Sequence, residues 1–292
     1  MKIFDPHIHM TSRTAGDYVA MAERGVFAVC EPAFWLGQPR THVGTYEDYL
    51  QTIIGWERYR ASQFGIHHFC TIGLNPKEAN DSNIADGVIE LLSKYCYKEN
   101  VLGIGEIGFD EQTESEAKYF KIQLELAKKL HLPVIIHTPH RDKKRGTEKS
   151  IDLIKETGIS QEMVVIDHNT EETISIVLSQ TNCWAGHTIY STTKMTKERM
   201  LNIVKKYGIN RIIINSSADW GVSDALSVTE TDNYMKENGI PEESLEQIFW
   251  QNTIKFLSQS GKLNLDEISK RPEIDQSHLW QGNTILRGSK ES

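Results

Sequence analysis

The stretch Val101-Leu-Gly-Ile-Gly-Glu-Ile-Gly-Phe-Asp110, together with the two segments that follow it, decides the fold of this chain. It opens with the apolar run Val101–Ile104. The first of the two following segments, Tyr119–Leu130, places its apolar residues largely on one side of a helix. A further apolar run, Val134–Ile136, then leads directly to His137. A strand, a helix and a strand in this order are typical of a unit in which a helix connects two parallel strands.

The same alternation recurs along the chain, where residues 84–92 and 200–204 also have helical spacing. The eight predicted strands are Met1–Phe4, Val26–Cys30, His68–Leu74, Val101–Ile104, Val134–Ile136, Met163–Ile166, Cys183–Ala185 and Ile212–Ile214. Strands that alternate with helices favour a parallel sheet wrapped by helices. Such a sheet is either a closed (β/α)8 TIM barrel or an open, doubly wound sheet.

Three features favour the barrel. The chain has eight strand–helix units, and its 292 residues are close to the ~250 that are typical of this fold. No glycine-rich phosphate-binding sequence opens the first helix, as it usually does in a dinucleotide-binding sheet. We therefore predict one barrel domain over residues 1–261 and a polar C-terminal tail over residues 262–292. We expect the tail to pack partly on the barrel through Leu263, Leu265 and Leu279–Trp280, and to fray at its end.

The composition predicts a globular protein with a sizeable core. Hydrophobic residues make up 39% of the chain, and 32 basic against 40 acidic residues give a net charge of −8. This balance argues against a broad basic surface for nucleic acid. The four cysteines show no CxxC spacing, no run reaches the ~18 apolar residues of a membrane helix, and the first residues show no secretion signal. We therefore expect a soluble cytoplasmic protein of undetermined oligomeric state, with no membrane partner.

Polar side chains that can bind metals follow several of the predicted strands. Two separations between them are equal, since 137 − 106 = 31 and 168 − 137 = 31, which suits one strand–helix unit each. In a barrel, the carboxyl ends of all strands open onto one face, so these side chains should converge there. The residues are His7, His9, Glu106, His137, His168 and Asp219.

Four histidines and two carboxylates form a mixed nitrogen–oxygen set that suits zinc, manganese or a similar divalent ion. A carboxylate can bridge two ions, and coordination lowers the pKa of water from 15.7 toward ~7. Each residue also has a simpler interpretation. His7 and His9 could be two surface histidines at a strand end, and Asp219 could cap the following helix.

In chain order, Asp5-Pro-His-Ile-His9, Gly105–Asp110, Pro133–His137, His168 and Asp219 resemble the TatD-like metal-dependent hydrolases of the amidohydrolase superfamily. The similarity runs from Met1 to about Ser260. It includes Gln251–Leu257, which is similar to the closing Asn-Pro-x-x-x-Phe helix of that family. Within the family, the segments Glu31–Arg40 and His137–Asp142 resemble the subgroup encoded in bacterial ebo gene clusters, which are associated with secondary metabolites.

The resemblance implies a (β/α)8 barrel with two divalent metal ions, which could be Zn, Mn or Mg. It implies that His7 and His9 hold one ion, that His137 and His168 hold the other, and that Glu106 bridges them. Asp219 would touch the first ion and act as general base. The best-known members of the family are 3′–5′ exonucleases or DNases.

The chain departs from the family pattern at two places. Gly73-Leu-Asn-Pro76 stands where the family usually has Gly-x-His-Pro, so that Asn75 replaces a substrate-contacting histidine. Ser216-Ser-Ala-Asp-Trp-Gly221 stands where the family has Glu-Thr-Asp-x-Pro, and Asp224 is the only other aspartate in range. These changes bear on the substrate rather than on the metal site.

Several residues near the predicted site could bind substrate. The basic run His140–Arg145 is either a solvated loop or a local receptor for phosphate or carboxylate, with Arg141 as its best candidate. Phe34-Trp35 and Trp220 either cover the barrel end or form an apolar wall for a ring. His187 and Tyr190 either pack or orient substrate. The predicted substrate-binding residues are Arg141, His187, Tyr190, Trp35 and Asn75.

These observations support three hypotheses. The first is a metal-dependent hydrolase in which metal-bound hydroxide attacks a phosphoester, amide or related bond of a small substrate, with Asp219 and Glu106 as catalytic residues. The second is a DNase or 3′–5′ exonuclease, in which nucleic acid would be the partner, and it rests on the resemblance alone. The third is a metal-containing component of a secondary-metabolite pathway with little turnover.

Overall fold

The computed structural model describes residues 1–274, in which eight parallel strands form one sheet. Their order in the sheet follows their order in the chain. The strands are β1 (Ile3–Asp5), β2 (Val26–Pro32), β3 (His67–Ile72), β4 (Val101–Gly108), β5 (Val134–His137), β6 (Val164–Ile166), β7 (Trp184–Thr188) and β8 (Ile212–Asn215). Each strand lies within about two residues of its predicted start.

The first and last strands approach each other, so the sheet curls into a nearly closed cylinder. Just beyond them, the Ser217 amide donates to the carbonyl of His7 at 2.7 Å, and the His9 amide donates to the carbonyl of Ala218 at 2.9 Å. A doubly wound sheet would reverse its strand order at a switch point, and this sheet does not. The fold is a (β/α)8 TIM barrel.

Helices alternate with the strands and cover the outside of the barrel. They are α1 (Ala15–Glu23), α2 (Val43–Gln51), α3 (Glu57–Ser62), α4 (Ser82–Tyr95), α5 (Glu114–Leu130), α6 (Lys143–Thr157), α7 (Ile174–Gln180), α8 (Lys197–Tyr207), α9 (Ser227–Glu237), α10 (Glu242–Glu246), α11 (Asn252–Leu257) and α12 (Leu265–Ile268). Single π-helical turns, 52–56 and 247–251, join α2 to α3 and α10 to α11. Within residues 1–274, no helix is both long enough and apolar enough to cross a membrane.

The core has two layers, because alternate residues of each strand point to opposite faces. One layer lies between the strands and the helices. The other fills the barrel interior with residues such as Phe4, Leu102 and Val165, and it continues into Phe256 and Leu257 of α11. This helix therefore closes the amino-terminal end of the barrel, and the opposite end is left for the site.

The described part of the predicted tail, residues 262–274, packs against the same closed end. Leu263 and Ile268 are buried, whereas Leu265 is 52% exposed. The Arg271 guanidinium donates to the carbonyls of Val26 and Gly65, each at 2.9 Å. The predicted contact through Leu279–Trp280 lies outside the described residues.

Candidate metal centre

The carboxyl ends of five strands bring the predicted metal ligands to one end of the barrel. Glu106 lies within β4 rather than after it, and His137 is the last residue of β5. His168 follows β6, and Asp219 follows β8. His7 and His9 lie beyond the end of β1, so a loop rather than a continued strand aims their two rings into the same space.

Glu106 lies at the centre of the cluster and is buried. Its Oε1 is 2.8 Å from His137 Nδ1, 2.9 Å from His168 Nε2 and 3.8 Å from His7 Nε2. Burial alone would raise the pKa of Glu106, but His137 and His7 hold it well below its usual range. Glu106 is therefore a carboxylate.

His7 and His9 present their Nε2 atoms to each other at 3.2 Å, with the ring planes perpendicular. On the other side of His7, Nδ1 lies 2.6 Å from Oδ2 of Asp167. The His9 ring is stacked on Phe34, with ring centroids 3.5 Å apart. Burial and the neighbouring His7 lower the pKa of His9 well below its usual value, so this imidazole is neutral.

His168 reaches the cluster because its backbone adopts a left-handed conformation, with φ of 58°. Strict alternation after β6 would send Asp167 and His168 to opposite faces of the barrel wall. The positive φ turns His168 inward as well, so that Asp167 holds His7 while His168 faces Glu106. Both side chains are buried.

A chain of hydrogen bonds fixes the proton of His168. The Thr188 hydroxyl donates to Oδ1 of Asn215 at 2.8 Å, so its oxygen is left to accept from Nδ1 of His168 at 2.7 Å. Asn215 in turn donates through Nδ2 to both carboxylate oxygens of Asp167, at 3.0 and 2.9 Å. Burial and Lys194 lower the pKa of His168 well below its usual value, so the ring carries one proton, on Nδ1.

This tautomer leaves an unshared electron pair on His168 Nε2, pointing at a Glu106 oxygen 2.9 Å away. Two acceptors face each other there, and a shared cation satisfies such a pair. Ligand atoms of His7, Glu106 and His168 all lie within 4.8 Å of one another. The donor set and its orientation therefore fit a divalent metal ion.

Asp219 lies at the edge of the cluster, and one of its oxygens is already engaged. Oδ1 accepts from the Tyr190 hydroxyl at 3.1 Å and from the Gly221 amide at 2.8 Å. Ser223 Oγ lies 3.4 Å from the same oxygen. In residues 1–274 no hydrogen bond reaches Oδ2, so that oxygen is free to bind a metal or take up a proton.

A cleft of about 160 Å³ opens above these groups. Trp35 and Asn75 line it, and Trp220 stands at its rim, with its ring inclined at 65° to that of Trp35 and ring centroids 6.1 Å apart. Asn75 accepts from the Glu78 amide at 3.1 Å, and its amide group donates to the Glu78 carboxylate. Tyr190 does not line the cleft, and its hydroxyl donates to Asp219 at 3.1 Å.

Two predicted substrate-binding residues are not brought to this cleft. Arg141 is exposed and lines a neighbouring groove, because the loop after β5 turns its side chain outward while His140 faces the cleft. His187 lies on the outer face of β7, opposite Gly186 and Thr188, and its Nδ1 donates to the Asn169 carbonyl at 3.1 Å. The period of two along a strand moves this histidine away from the site.

Several residues of the site were not predicted from the sequence. Asp167 and Thr188 hold the two histidines, and Lys194 lines the cleft. His140, which also lines the cleft, belongs to the basic run predicted to bind an anion. An acidic residue directly after the apolar strand β6 could have indicated Asp167. Thr188 can be identified only once the register of β7 is known. Lys194 comes from the loop after β7, where no sequence pattern indicates it.

A (β/α)8 barrel that gathers imidazoles and carboxylates at the carboxyl ends of its strands defines a class, the metal-dependent hydrolases of the amidohydrolase type. Residues 4–272 match the family described as TatD related DNase, and the chain belongs to this family. It is therefore an enzyme, which leaves the hypothesis of a component with little turnover without support.

Individual relatives agree with this assignment. An uncharacterised metal-dependent hydrolase of Methanocaldococcus jannaschii is 28% identical over 257 residues, which cover 87% of this chain and 99% of the relative. A human deoxyribonuclease is 29% identical over 126 residues, which cover 40% of this chain and 43% of that protein.

Solved structures show the same fold. A TatD-like protein from Archaeoglobus fulgidus superposes with a TM-score of 0.72 and 27% identity, covering 87% of this chain and 99% of the other. A phosphotriesterase homology protein from Escherichia coli, solved with phosphate in its active site, gives a TM-score of 0.63 at 15% identity over 88% of this chain and 98% of the other. The second likeness concerns the fold alone.

Proposed function

We propose that this TatD-family enzyme hydrolyses a phosphoester, amide or related bond of a small substrate with the help of two divalent ions. The six proposed ligands are His7, His9, Glu106, His137, His168 and Asp219. Zinc suits this set best, because neutral imidazoles and carboxylates are the ligands of catalytic zinc sites, and manganese suits it next.

One observation carries the proposal. His168 Nε2 and Glu106 Oε1, two groups that can only accept, point at each other at 2.9 Å inside a buried cluster. His168 already donates its single ring proton to Thr188. A change of tautomer could place a proton between the two acceptors only by breaking the hydrogen bonds that lead from His168 through Thr188 to Asn215. A cation between or beside the two acceptors removes the conflict.

Individual residues of the chain have different roles in the proposed reaction. A bound divalent ion polarises the electrophile and lowers the pKa of water. Asp219 accepts the proton of the attacking water on Oδ2 and returns it to the leaving group, while Tyr190 and Gly221 hold the carboxylate in place through Oδ1. Asp167 orients His7, as partners of metal-binding histidines commonly do.

The shape of the cleft favours a small substrate with a flat apolar part. A volume of about 160 Å³ holds the reacting group and little more, so the rest of the substrate must lie at the rim. Trp35 lines the cleft, and Trp220 is 54% exposed beside it. These two indoles offer an aromatic ring a surface on which to stack.

Metal analysis combined with activity profiling tests this function. The purified protein is expected to hold close to two divalent ions, and to turn over at least one member of a panel of phosphoesters, amides and esters. A chelator should abolish that turnover, and added Zn²⁺ or Mn²⁺ should restore it. Turnover that survives complete metal removal would refute the proposal.

A second candidate, a DNase, is favoured by the groove beside the cleft. This groove has a volume of about 640 Å³ and shares Lys77, Asp110 and His140 with the cleft, and it carries Arg141, Arg145 and Lys149 further along. This groove would bind the phosphate backbone of DNA beyond the reacting group. A steep decrease of single-stranded DNA affinity with salt supports this function. Absence of binding at low salt excludes it.

A further inference from the structure

Lys194 is the cationic side chain of the cleft whose role the proposed reaction leaves open. It is partly buried and lines the cleft together with Glu106, His168 and Asp219. Its ammonium donates to Ser217 Oγ at 3.1 Å, and within residues 1–274 it forms no salt bridge. Lys77, on the opposite rim, is instead paired with Asp110 at 3.2 Å.

The backbone holds Lys194 in place. Its amide donates to the Tyr190 carbonyl at 2.8 Å, and the Tyr190 amide donates to the carbonyl of Met195 at 2.9 Å. The Arg199 guanidinium donates to the Lys194 carbonyl at 2.7 Å. A tight turn anchored on both sides therefore presents this lysine, and little mobility has to be lost when a ligand binds.

Two of the three carboxylates that now offset Lys194 are ones whose charge a metal ion would neutralise. Burial lowers the pKa of Lys194, and Glu106, Asp167 and Asp219 oppose this shift by favouring the charged ammonium. Two of these three carboxylates are proposed metal ligands. Once divalent ions take up Glu106 and Asp219, Asp167 alone of these three carboxylates still offsets Lys194, and it is already bonded to His7 and Asn215. Lys143 is a second lysine close enough to interact with Lys194: burial, and then the charge of Lys194, lower the pKa of Lys143 to about 8.

We infer that Lys194 binds an oxyanion of the substrate, so that the enzyme acts on an anionic ester of the phosphate type rather than on a neutral amide or lactone. The inference rests on the proposed function, because it concerns the same cleft. Lys194 thereby has the anion-binding role that the sequence predicted for Arg141. An ammonium at this place recognises phosphoryl oxygens as a point charge.

Binding of inorganic phosphate to the metal-loaded protein, measured by titration calorimetry, tests this role. We expect Lys194→Met to weaken binding about 10- to 100-fold, the effect typical of one charge-assisted hydrogen bond. Lys194→Arg should keep most of the affinity because it keeps the charge. Lys205→Met, at an exposed lysine of α8, is the matched control and should bind like the wild type.

The metal content of every variant is measured, so that affinities are compared at equal loading. If Lys194→Met does not fold, Lys194→Gln takes its place. The inference is overturned if the loaded wild type binds no phosphate, or if the Met or Gln variant binds it as tightly as the wild type does.

A separate readout distinguishes this outcome from failure of the hydrolase itself. The loaded wild type and Lys194→Met are assayed with p-nitrophenyl phosphate and with neutral p-nitrophenyl acetate. We expect the variant to lose activity selectively on the phosphate ester, mainly through KM. Equal losses on both substrates, or turnover of the acetate alone by the wild type, would overturn the inference and leave metal-dependent hydrolysis intact.

Discussion

Glu106 shows at the scale of single residues how the site is specified. Imidazoles from three parts of the chain, His7, His137 and His168, all approach one of its oxygens. A buried carboxylate tolerates such crowding when each imidazole is oriented by its own partner, and two of them are held by Asp167 and Thr188. The outer partners therefore fix which nitrogen atoms face the cleft.

Replacement of the proton acceptor should remove activity and leave the fold intact. In Asp219→Asn, the side chain keeps its shape and still accepts from Tyr190 and Gly221 through its remaining oxygen, but it cannot take up a proton. We expect kcat to fall by about 10²- to 10⁴-fold, the range for loss of a general base. Steady-state kinetics and thermal unfolding measure the two properties.

Asp224→Asn is the control for that substitution, because Asp224 is the exposed neighbouring aspartate. It should keep kcat within a few-fold of the wild type. An Asp219→Asn variant with undiminished turnover would contradict the assignment of Asp219 as the base.

The partly buried charge of Lys143 should make stability depend on pH. Burial and the nearby Lys194 lower the pKa of Lys143 from 10.5 to about 8. The unfolded chain therefore binds this proton more tightly than the folded protein does. The resulting penalty is fully present below pH 8 and disappears as the pH rises toward 10.5.

Lys143→Met removes that penalty, so its stability relative to the wild type should be highest near pH 7 and decrease as the pH rises to 10. Urea unfolding at several pH values measures the difference. The exposed Lys205→Met should show no such trend. A stability difference for Lys143→Met that stays constant from pH 7 to 10 would show that the Lys143 pKa is not lowered.

The sequence could predict the six metal-binding candidates because each has a chemically distinctive side chain next to an apolar strand. It could not predict their partners. Thr188 and Asn215 are ordinary strand residues until β6, β7 and β8 bring them to His168 and Asp167. Arg141 and His187 were chosen by residue type, and their positions in the loop and on β7 direct both away from the cleft.

At the scale of the elements, β6 and β7 together build the inner wall behind the site. His168 departs from strand geometry with a φ of 58°, and Asp167 then fits against Gly186 of β7. A non-glycine residue seldom adopts this conformation, and such residues occur often at functional sites. No periodicity in the sequence signals it, so a strand pattern alone would turn His168 away from Glu106.

Gly186 provides the space for Asp167. A Cβ atom at this position would lie 2.4 Å from Asp167 Oδ1 and 2.9 Å from its Cγ. We expect Gly186→Ala to displace Asp167 from His7 and to lower metal affinity about 10- to 100-fold, as loss of the partner of a metal-binding histidine typically does. Competition with a chelating dye measures this affinity.

Gly55→Ala is the matched control, because a Cβ atom there meets nothing within 4 Å and Gly55 lies in a helical segment. It should bind metal like the wild type and gain roughly 0.5–1 kcal/mol of stability. Unchanged metal affinity in Gly186→Ala would show that Asp167 does not support the metal site.

At the scale of the whole molecule, residues that stabilise the barrel and residues of the site lie at opposite ends of the barrel axis. Phe256 and Leu257 close the amino-terminal end, whereas the six proposed ligands lie at the carboxyl ends of the strands. The alternation of strands and helices could predict this barrel, because each unit buries one face against its neighbours. The apolar residues of the tail could predict partial packing through Leu263, but not the contacts of Arg271 with Val26 and Gly65, which are distant in sequence.

Truncation of the closing helix should destabilise the protein and spare its site. Phe256 is 1% exposed, and Phe256→Ala should cost about 3–5 kcal/mol of unfolding free energy. Turnover per folded molecule should stay near that of the wild type. Leu265→Ala, at a residue 52% exposed near the same end, should cost little. A loss of turnover in folded Phe256→Ala would contradict the separation of the two ends.

Anomalous diffraction from crystals of the zinc-loaded protein tests the central claim most directly. The account predicts two peaks at the carboxyl end of the barrel, with Glu106 between them. His7 and His9 should lie within ~2.0–2.2 Å of one peak, and His137 and His168 within the same distance of the other. Peaks bound elsewhere, or no anomalous density beside Glu106, would contradict it.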